Sequence, residues 1–319
     1  MQAQFPESDR LQAPAHDEML FIVIHQAYEL WFKQLLHEAG SVIEILKKPA
    51  LNDNSPELQT VVHRLSRMVT ILRVLVHQVD IMETMTPMDF LDFRDMLRPA
   101  SGFQSVQFKV LEAKLGLKYE HRHGQEYYIS QLRPDEVQQV KEGEAGNSLL
   151  TLLNAWLERM PFYNQPDDPF WTDYRRRYEQ SLSEMERPNL QEFDRLFLTD
   201  NPAPEQASRN LSSAASRAAL FIMLYRGYPI LQLPFQLLNN LLEIDEQLST
   251  WRYRHVNMVQ RMIGTRIGTG GSTGRDYLRS ALDKHYIFRD IAQLTSFLIE
   301  RRKLPQLNPE MERRLGFVQ

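Results

Sequence analysis

The chain has 319 residues, 43% of them hydrophobic and 24% charged, a composition typical of a soluble globular protein. Its formal net charge of -4 gives no general electrostatic reason to bind nucleic acid or an anionic membrane. Cysteine is absent, which excludes disulfides, thiolate nucleophiles, iron–sulfur clusters and cysteine-ligated metals. The first residues lack the pattern of a signal peptide, and no apolar run is long enough to span a bilayer. We therefore expect a cytoplasmic protein with no nucleic-acid or membrane partner.

Helical periodicity begins at His16 and continues to Leu46, which predicts one long helix. Its inward-facing stripe, at spacings of four, seven and eleven residues, consists of Phe21, His25, Tyr28 and Phe32. A histidine on an apolar stripe is more often a satisfied core residue than a ligand. A functional role becomes the better interpretation only if a second such histidine faces the same space.

The next two predicted helices open with favourable caps, Ser55-Pro56 and Thr86-Pro87. On the second of these, Phe90, Arg94 and Leu97 are predicted to share one helical face. An arginine on an apolar face is costly unless it is paired. Either a nearby aspartate pairs with it, or the guanidinium binds a substrate carboxylate, whose geometry it matches.

Four segments are predicted from the changes in composition along the chain. Residues 1–15 form a short N-terminal arm, and residues 16–116 form a helical core. Residues 117–200 are more polar, contain several prolines and predict a smaller helical excursion. Residues 201–319 return to the helical core and end in a predicted helix from Tyr286 to Arg301. No sustained period-two segment occurs, so the fold class is predicted to be all-α, a large helical bundle with a smaller excursion.

The last core segment carries a second histidine on an apolar stripe, followed by a glycine-rich loop. The stripe consists of Trp251, His255, Met258, Val259 and Met262. After Gly264 the helical pattern stops, and a loop containing GTGGSTG offers backbone amides and hydroxyls to a small ligand. This loop is neither a phosphate-binding P-loop nor a dinucleotide fingerprint, because the required residues are missing.

These pieces together resemble the tryptophan 2,3-dioxygenase family of haem enzymes. The resemblance rests, in chain order, on HDEMLFIVIHQAYELWFKQLLHE, DFRDMLRPASGFQSVQF, WRYRH and GTGGSTG. It extends from His16 almost to the C-terminus. It implies a fold with haem b, one per subunit, between the helices of the core.

The resemblance also implies roles for individual residues. His255 is expected to be the axial ligand of the haem iron, and His25 the distal catalytic histidine that hydrogen-bonds the indole N–H. Arg94 is expected to hold the substrate carboxylate, and Thr269 to bind the ammonium and carboxylate end. The full set of expected substrate-binding residues is Phe21, Ile22, Val23, Ile24, His25, Phe90, Arg94, Ser101, Gly102 and Thr269.

The implied activity is cleavage of the indole C2–C3 bond of L-tryptophan by O2 to give N-formylkynurenine, the first step of tryptophan degradation through kynurenine. A homotetramer is implied as well. Two other interpretations stay open at this point: a haem-binding sensor or carrier, and a haem hydroxylase of an aromatic amino acid. Family members usually carry a tyrosine-containing stretch of the form Y-G-x-Y-L before the first motif. The residues before His16 contain no tyrosine, which predicts a changed inter-subunit wall of the pocket.

Overall fold

The computed structural model describes residues 5–49, 51, 55–97, 104–117, 132–199, 209–264, 266 and 286–316. Within these ranges the chain forms α-helices, short 3₁₀ helices and turns, with no β-strand. The predicted all-α fold class is confirmed. Ser101, Gly102, Thr269 and the glycine-rich loop lie outside the described residues.

The α-helices follow the predicted order for most of the chain. They are α1 (Glu7–Arg10), α2 (His16–Leu46), α3 (Pro56–Met82), α4 (Pro87–Phe93), α5 (Val106–Leu115), α6 (Pro134–Ala145), α7 (Leu149–Glu158), α8 (Pro169–Ser181), α9 (Pro188–Phe197), α10 (Ser213–Leu224), α11 (Gln232–Ile263), α12 (Arg289–Gln293) and α13 (Pro309–Leu315). The 3₁₀ helices are Arg94–Leu97, Glu184–Glu186, Pro229–Leu231, Leu294–Phe297 and Arg301–Lys303. None of the described helices is long and apolar enough to cross a membrane.

Local chemistry explains where the helices near the candidate site begin and end. Thr86 caps α4 through a reciprocal pair of hydrogen bonds, in which its hydroxyl accepts from the Asp89 amide and the Asp89 carboxylate accepts from the Thr86 amide. Gly116 ends α5 with φ 132°, and Gly264 follows α11 with φ 58°. Both angles are in the region that glycine adopts without steric cost, and the predicted end of the helical pattern at Gly264 is confirmed.

The chain divides into two compact units. Unit 1 comprises residues 1–41, 66–148 and 243–287, and unit 2 comprises residues 42–65, 149–242 and 288–319. Unit 1 contains both predicted functional histidines. The four-segment division made from the sequence stays a prediction.

Unit 2 has a core rich in aromatic rings. Trp171 stacks on Phe197 with ring centroids 5.6 Å apart, and Phe193 lies 5.3 Å from Tyr178. Arg217 is buried in the same unit, where its guanidinium donates to the carbonyl oxygens of Asn164 and Phe197, each at 2.9 Å. The dipoles of these two backbone carbonyls help to compensate the buried charge.

Two predictions about helices are wrong. The helix predicted to carry Phe90, Arg94 and Leu97 is not one α-helix, because α4 ends at Phe93 and the chain continues as the 3₁₀ turn Arg94–Leu97. The Arg94 amide still donates to the Phe90 carbonyl, and Phe90 and Leu97 pack against the same buried cluster.

The predicted helix from Tyr286 to Arg301 is also wrong, because the chain forms α12 and then two 3₁₀ turns. The Tyr174 hydroxyl donates to the Phe297 carbonyl at 2.8 Å, and the Tyr178 hydroxyl donates to the Ser296 carbonyl at 3.0 Å. Buried side chains therefore satisfy carbonyls that a continuous helix would have paired with later amides.

Replacing Phe193 by Ala is expected to lower the free energy of unfolding by about 3–5 kcal/mol, because the ring is fully buried among other aromatic side chains. Denaturant unfolding of the variant and the unmodified chain measures the difference. Met185 is 92% exposed, so Met185→Ala is the matched control, with an expected change below about 0.5 kcal/mol. Equal effects of the two substitutions would contradict this account of the core.

Candidate active site

A cavity of about 490 Å³ in unit 1 contains both predicted functional histidines. Helices α2, α3, α5, α6 and α11 contribute to its wall, together with Leu97 and Gln104. The aromatic side chains of the wall are Phe21, Tyr28, Phe32, Phe108 and Trp251. This volume falls in the range of roughly 300–1,000 Å³ typical of small-molecule and cofactor sites.

His25 is held in one orientation by its own helix. Its Nδ1 lies 2.7 Å from the carbonyl oxygen of Phe21, one turn earlier in α2. A carbonyl oxygen only accepts, so Nδ1 carries the proton and donates it. Burial lowers the pKa of His25 below its usual 6.5, and the Phe21 carbonyl offsets this in part. The neutral ring therefore keeps a free lone pair on Nε2 for a donor in the cavity.

His255 is uncharged for the same physical reason. Burial, together with a smaller effect of the nearby His25, lowers the pKa of His255 from 6.5 to about 4. The imidazole stacks on Trp251, one turn earlier in α11, with ring centroids 5.5 Å apart and planes inclined by 3°. A neutral imidazole held in a fixed plane is the form of histidine that binds a metal.

The residues at the cavity suit the iron of a porphyrin. In the part of the chain that the structure describes, no group of three or more metal-binding side chains occurs. A porphyrin supplies the equatorial ligands of its iron, so one axial imidazole is sufficient. His255 can supply that ligand, and the aromatic wall suits a flat apolar ring system.

A hydrogen-bonded cluster joins α2 to the start of α5 at the cavity wall. The Glu29 carboxylate accepts from the Ser105 hydroxyl at 2.6 Å and from the Gln107 amide at 2.7 Å. Ser105 also caps α5 by accepting from the Phe108 amide at 3.3 Å. Glu29 follows His25 by one helical turn, so the cluster fixes the position of α5 beside the histidine.

Two arginines that closely precede His255 connect α11 to its neighbours. Arg252 is buried and donates to Glu112 of α5 at 2.6 Å, and its guanidinium lies 6.0 Å from the Phe108 ring. Arg254 binds Asp80 and, at 2.8 Å, Glu83 near the end of α3. These contacts restrain both the rotation and the translation of the helix that carries His255.

The predicted site residues differ in how closely they approach the cavity. Phe21, His25 and His255 line it, and Phe90 packs against Phe21 with ring centroids 5.9 Å apart. Arg94 is half-buried at the first position of the 3₁₀ turn whose last residue, Leu97, lines the cavity.

The three other predicted residues on α2 do not line this cavity. Ile22 and Ile24 are each 3% exposed, whereas the Val23 side chain is 51% exposed. A helix turns by about 100° per residue, so consecutive residues cannot all face the same space. Their assignment as substrate-binding residues stays a prediction.

Several residues that line the cavity were not predicted from the sequence to be site residues. Tyr28 and Trp251 were recognised only as members of apolar stripes, and Glu29 was not singled out. The available signal was spacing, since Glu29 lies four residues after His25 and Trp251 lies four residues before His255. Gln107 lies within a motif of the family resemblance but has no periodic signature of its own.

Comparison with known proteins defines the class of enzyme. A sequence profile described as tryptophan 2,3-dioxygenase matches residues 1–200 and 199–298. The chain is similar to a tryptophan 2,3-dioxygenase of Bdellovibrio bacteriovorus, with 40% identity over 342 residues covering 99% of this chain and 95% of the relative. It is similar to one from Alteromonas mediterranea at 42% identity, covering 99% and 93%, and to one from Dictyostelium discoideum at 41%, covering 98% and 84%.

The all-α fold, the paired imidazoles and these matches define an oxidoreductase of the dioxygenase class. The chain belongs to the tryptophan 2,3-dioxygenase family. The family predicted from the sequence motifs is confirmed.

The buried pair of Arg252 and Glu112 leads to a stability prediction. Glu112→Ala is expected to lower the free energy of unfolding by about 3–5 kcal/mol, because it leaves the Arg252 charge buried without this carboxylate. The double substitution Glu112→Leu with Arg252→Met is expected to recover most of the lost free energy of unfolding. Urea unfolding of the haem-free chains measures both effects.

The exposed pair of Glu310 and Arg314 on α13 is the matched control. Glu310→Ala is expected to change the free energy of unfolding by less than about 1 kcal/mol. A loss for Glu112→Ala no larger than this control would contradict a structural role for the buried pair.

Proposed function

We propose that the chain opens the indole ring of L-tryptophan by inserting both atoms of O2 across its C2–C3 bond, giving N-formylkynurenine. The observation that carries the proposal is the pair of neutral imidazoles, His25 and His255, in one aromatic-lined cavity. Membership of the family supports the choice of substrate. The proposal names L-tryptophan and O2 as partners, and neither nucleic acid nor membrane. It includes a cytoplasmic location, which rests on the sequence prediction alone.

His255 is proposed to be the residue that would hold the iron of one haem b per subunit. When bound, haem b would supply the centre at which dioxygen is activated. The protein's contribution on this side is a neutral nitrogen lone pair, presented in a plane set by stacking on Trp251. Because a protonated imidazole cannot bind iron, the lowered pKa of His255 favours metal binding at neutral pH.

His25 is proposed to orient the substrate by accepting a hydrogen bond from the indole N–H. Its Nδ1 proton is already donated to the Phe21 carbonyl, so Nε2 is the acceptor. Phe21 and Phe90 are proposed to flank the indole, whose flat apolar faces suit aromatic side chains. Fixed orientation of the indole relative to O2 is the main rate-raising effect available to these residues.

The amino-acid end of the substrate is proposed to bind Arg94 and Thr269. A guanidinium binds a carboxylate through two parallel hydrogen bonds, and the Thr269 hydroxyl binds the ammonium and carboxylate end. Ser101 and Gly102 are proposed to lie beside the haem on the substrate side. Thr269, Ser101 and Gly102 lie outside the described residues, so their roles rest on the sequence motifs.

A reconstitution experiment tests the proposal. The chain is loaded with haem, reduced without oxygen, given L-tryptophan and then O2, and N-formylkynurenine is followed by its ultraviolet absorbance. His255→Ala is expected to lose both haem retention and product. Arg94→Ala is expected to retain haem while kcat/KM falls about 10- to 100-fold, through loss of a charged hydrogen-bonding pair. His25→Ala is expected to retain haem with reduced turnover.

Arg73→Ala is the matched control for Arg94→Ala. Arg73 lies on α3, is 55% exposed in its side chain and binds Glu243, so its loss removes the same charge away from the cavity. Its kcat/KM is expected to match that of the unmodified chain. Haem retention without product in the unmodified chain would contradict the proposed reaction.

A homotetramer is proposed as the assembly. An exposed apolar stripe on α2 supports association of one copy with another, since Met19, Val23 and Leu30 lie on one side of the helix and are 38%, 51% and 69% exposed. The number of four subunits rests on the family resemblance.

Sedimentation velocity is expected to give a tetramer for the unmodified chain and smaller species for Leu30→Lys, because a charge in an apolar contact is costly to bury. Lys33→Gln alters an exposed polar residue on the same helix and is expected to leave the tetramer intact. A tetramer for Leu30→Lys would exclude this stripe as the interface.

A further inference from the structure

A buried carboxylate near the start of α2 holds the N-terminal arm, defined in the structure as residues 5–15. Glu18 is 2% exposed, and its two carboxylate oxygens accept from the backbone amides of Glu7 and Ser8, each at 2.9 Å. Each oxygen of the carboxylate is therefore hydrogen-bonded to a peptide N–H group of the arm. Burying a charge is costly without such hydrogen bonds, so Glu18 and the arm depend on each other.

The arm is closed on itself as well as attached to α2. Ser8 is fully buried, and its hydroxyl accepts from the Ala15 amide at 3.1 Å. The Ser8 carbonyl accepts from the Ala13 amide at 2.9 Å. Gln12 turns the chain between these bonds with φ 57°, an angle that a non-glycine residue adopts at some cost. A loop closed in this way moves as one piece with the first turn of α2.

The arm also lies against the turn that carries Arg94. Helix α1 contacts the 3₁₀ helix Arg94–Leu97 directly. Ala15, at the end of the arm, belongs to a buried cluster that includes Phe93, and Leu97 packs against that cluster. Since Leu97 lines the cavity, the arm supports this wall segment from behind.

We propose that Glu18 is a positioning residue for substrate recognition: by anchoring the arm, it holds the Arg94–Leu97 turn where Arg94 can bind an α-amino-acid carboxylate. This inference rests on the proposed function, because it takes Arg94 as the carboxylate-binding group. Glu18 itself does not line the cavity, so it acts on the substrate only through the turn. A four-residue 3₁₀ turn has poorer hydrogen-bond geometry than an α-helix, so contacts from outside the turn help to hold its position.

The test compares two buried carboxylates on the same helix. Glu18→Gln keeps the size of the side chain but replaces one accepting oxygen by an NH2 group, which faces a backbone N–H and cannot accept from it. Glu38 is also 2% exposed and binds Gln34 and Arg67, so Glu38→Gln is the matched control away from the arm. In the haem-loaded enzyme, Glu18→Gln is expected to raise KM for L-tryptophan about three- to tenfold with kcat changed less than twofold. Glu38→Gln is expected to leave KM unchanged.

A double-mutant cycle separates positioning from general destabilisation. If Glu18 acts through Arg94, Glu18→Gln is expected to raise KM no further in an Arg94→Gln background. A full additional increase in that background would overturn the proposal. So would a lower melting temperature for Glu18→Gln with an unchanged KM.

Hydrogen–deuterium exchange supplies a readout that does not need turnover. Peptides covering residues 94–97 are expected to exchange faster in haem-loaded Glu18→Gln than in the unmodified enzyme or Glu38→Gln. If the unmodified enzyme forms no product, the proposed function fails, while the exchange result still decides whether Glu18 holds the turn. Unchanged exchange at residues 94–97 would overturn the proposal whatever the activity.

Discussion

Desolvation of two imidazoles in one cavity is the constraint on which the rest of the site depends. Burial keeps His25 and His255 uncharged. Protonation of either ring would also raise the free-energy cost of protonating the other. Neutrality leaves each ring with a nitrogen lone pair, which the proposed function assigns to a metal at His255 and to a substrate donor at His25. The aromatic side chains of the cavity wall supply much of this desolvation, which outweighs the opposing charge of Glu29 at His25.

Such a cavity is useful only if its walls keep their spacing, and ion pairs contribute this around α11. Arg252 connects the helix to α5, and Arg254 connects it to α3. The first pair is buried and geometrically demanding, so it specifies position more than it adds stability. Trp251 then transmits that position to His255 by ring stacking. The two arginines lie three residues and one residue before His255, so their ion pairs restrain the part of α11 that carries this histidine.

The periodicity of apolar residues predicted those features of the fold that depend on local sequence. The long helices α2, α3 and α11 and the inward histidines on two of them followed from apolar spacing, because burial of one face is encoded residue by residue. Contacts between residues that are far apart in the sequence were not predictable from this periodicity. Nothing near Glu112 indicates that Arg252 pairs with it, and nothing near Phe297 indicates that Tyr174 takes its carbonyl. The change from α-helix to 3₁₀ turn at Arg94 was not predicted, because the local pattern of apolar residues does not distinguish the two.

The two ends of the candidate site thus lie on secondary structure of very different length. The imidazoles lie on helices of 31 and 32 residues, whose many backbone hydrogen bonds and buried faces resist local opening. Arg94 lies on a four-residue turn supported by a four-residue helix and by one buried carboxylate. Under the proposed function, free energy lost at the first end affects the two imidazoles, and free energy lost at the second end affects recognition of the amino-acid group. The proposed role of Glu18 therefore makes the N-terminal arm a place where substrate affinity changes while the two imidazoles keep their positions.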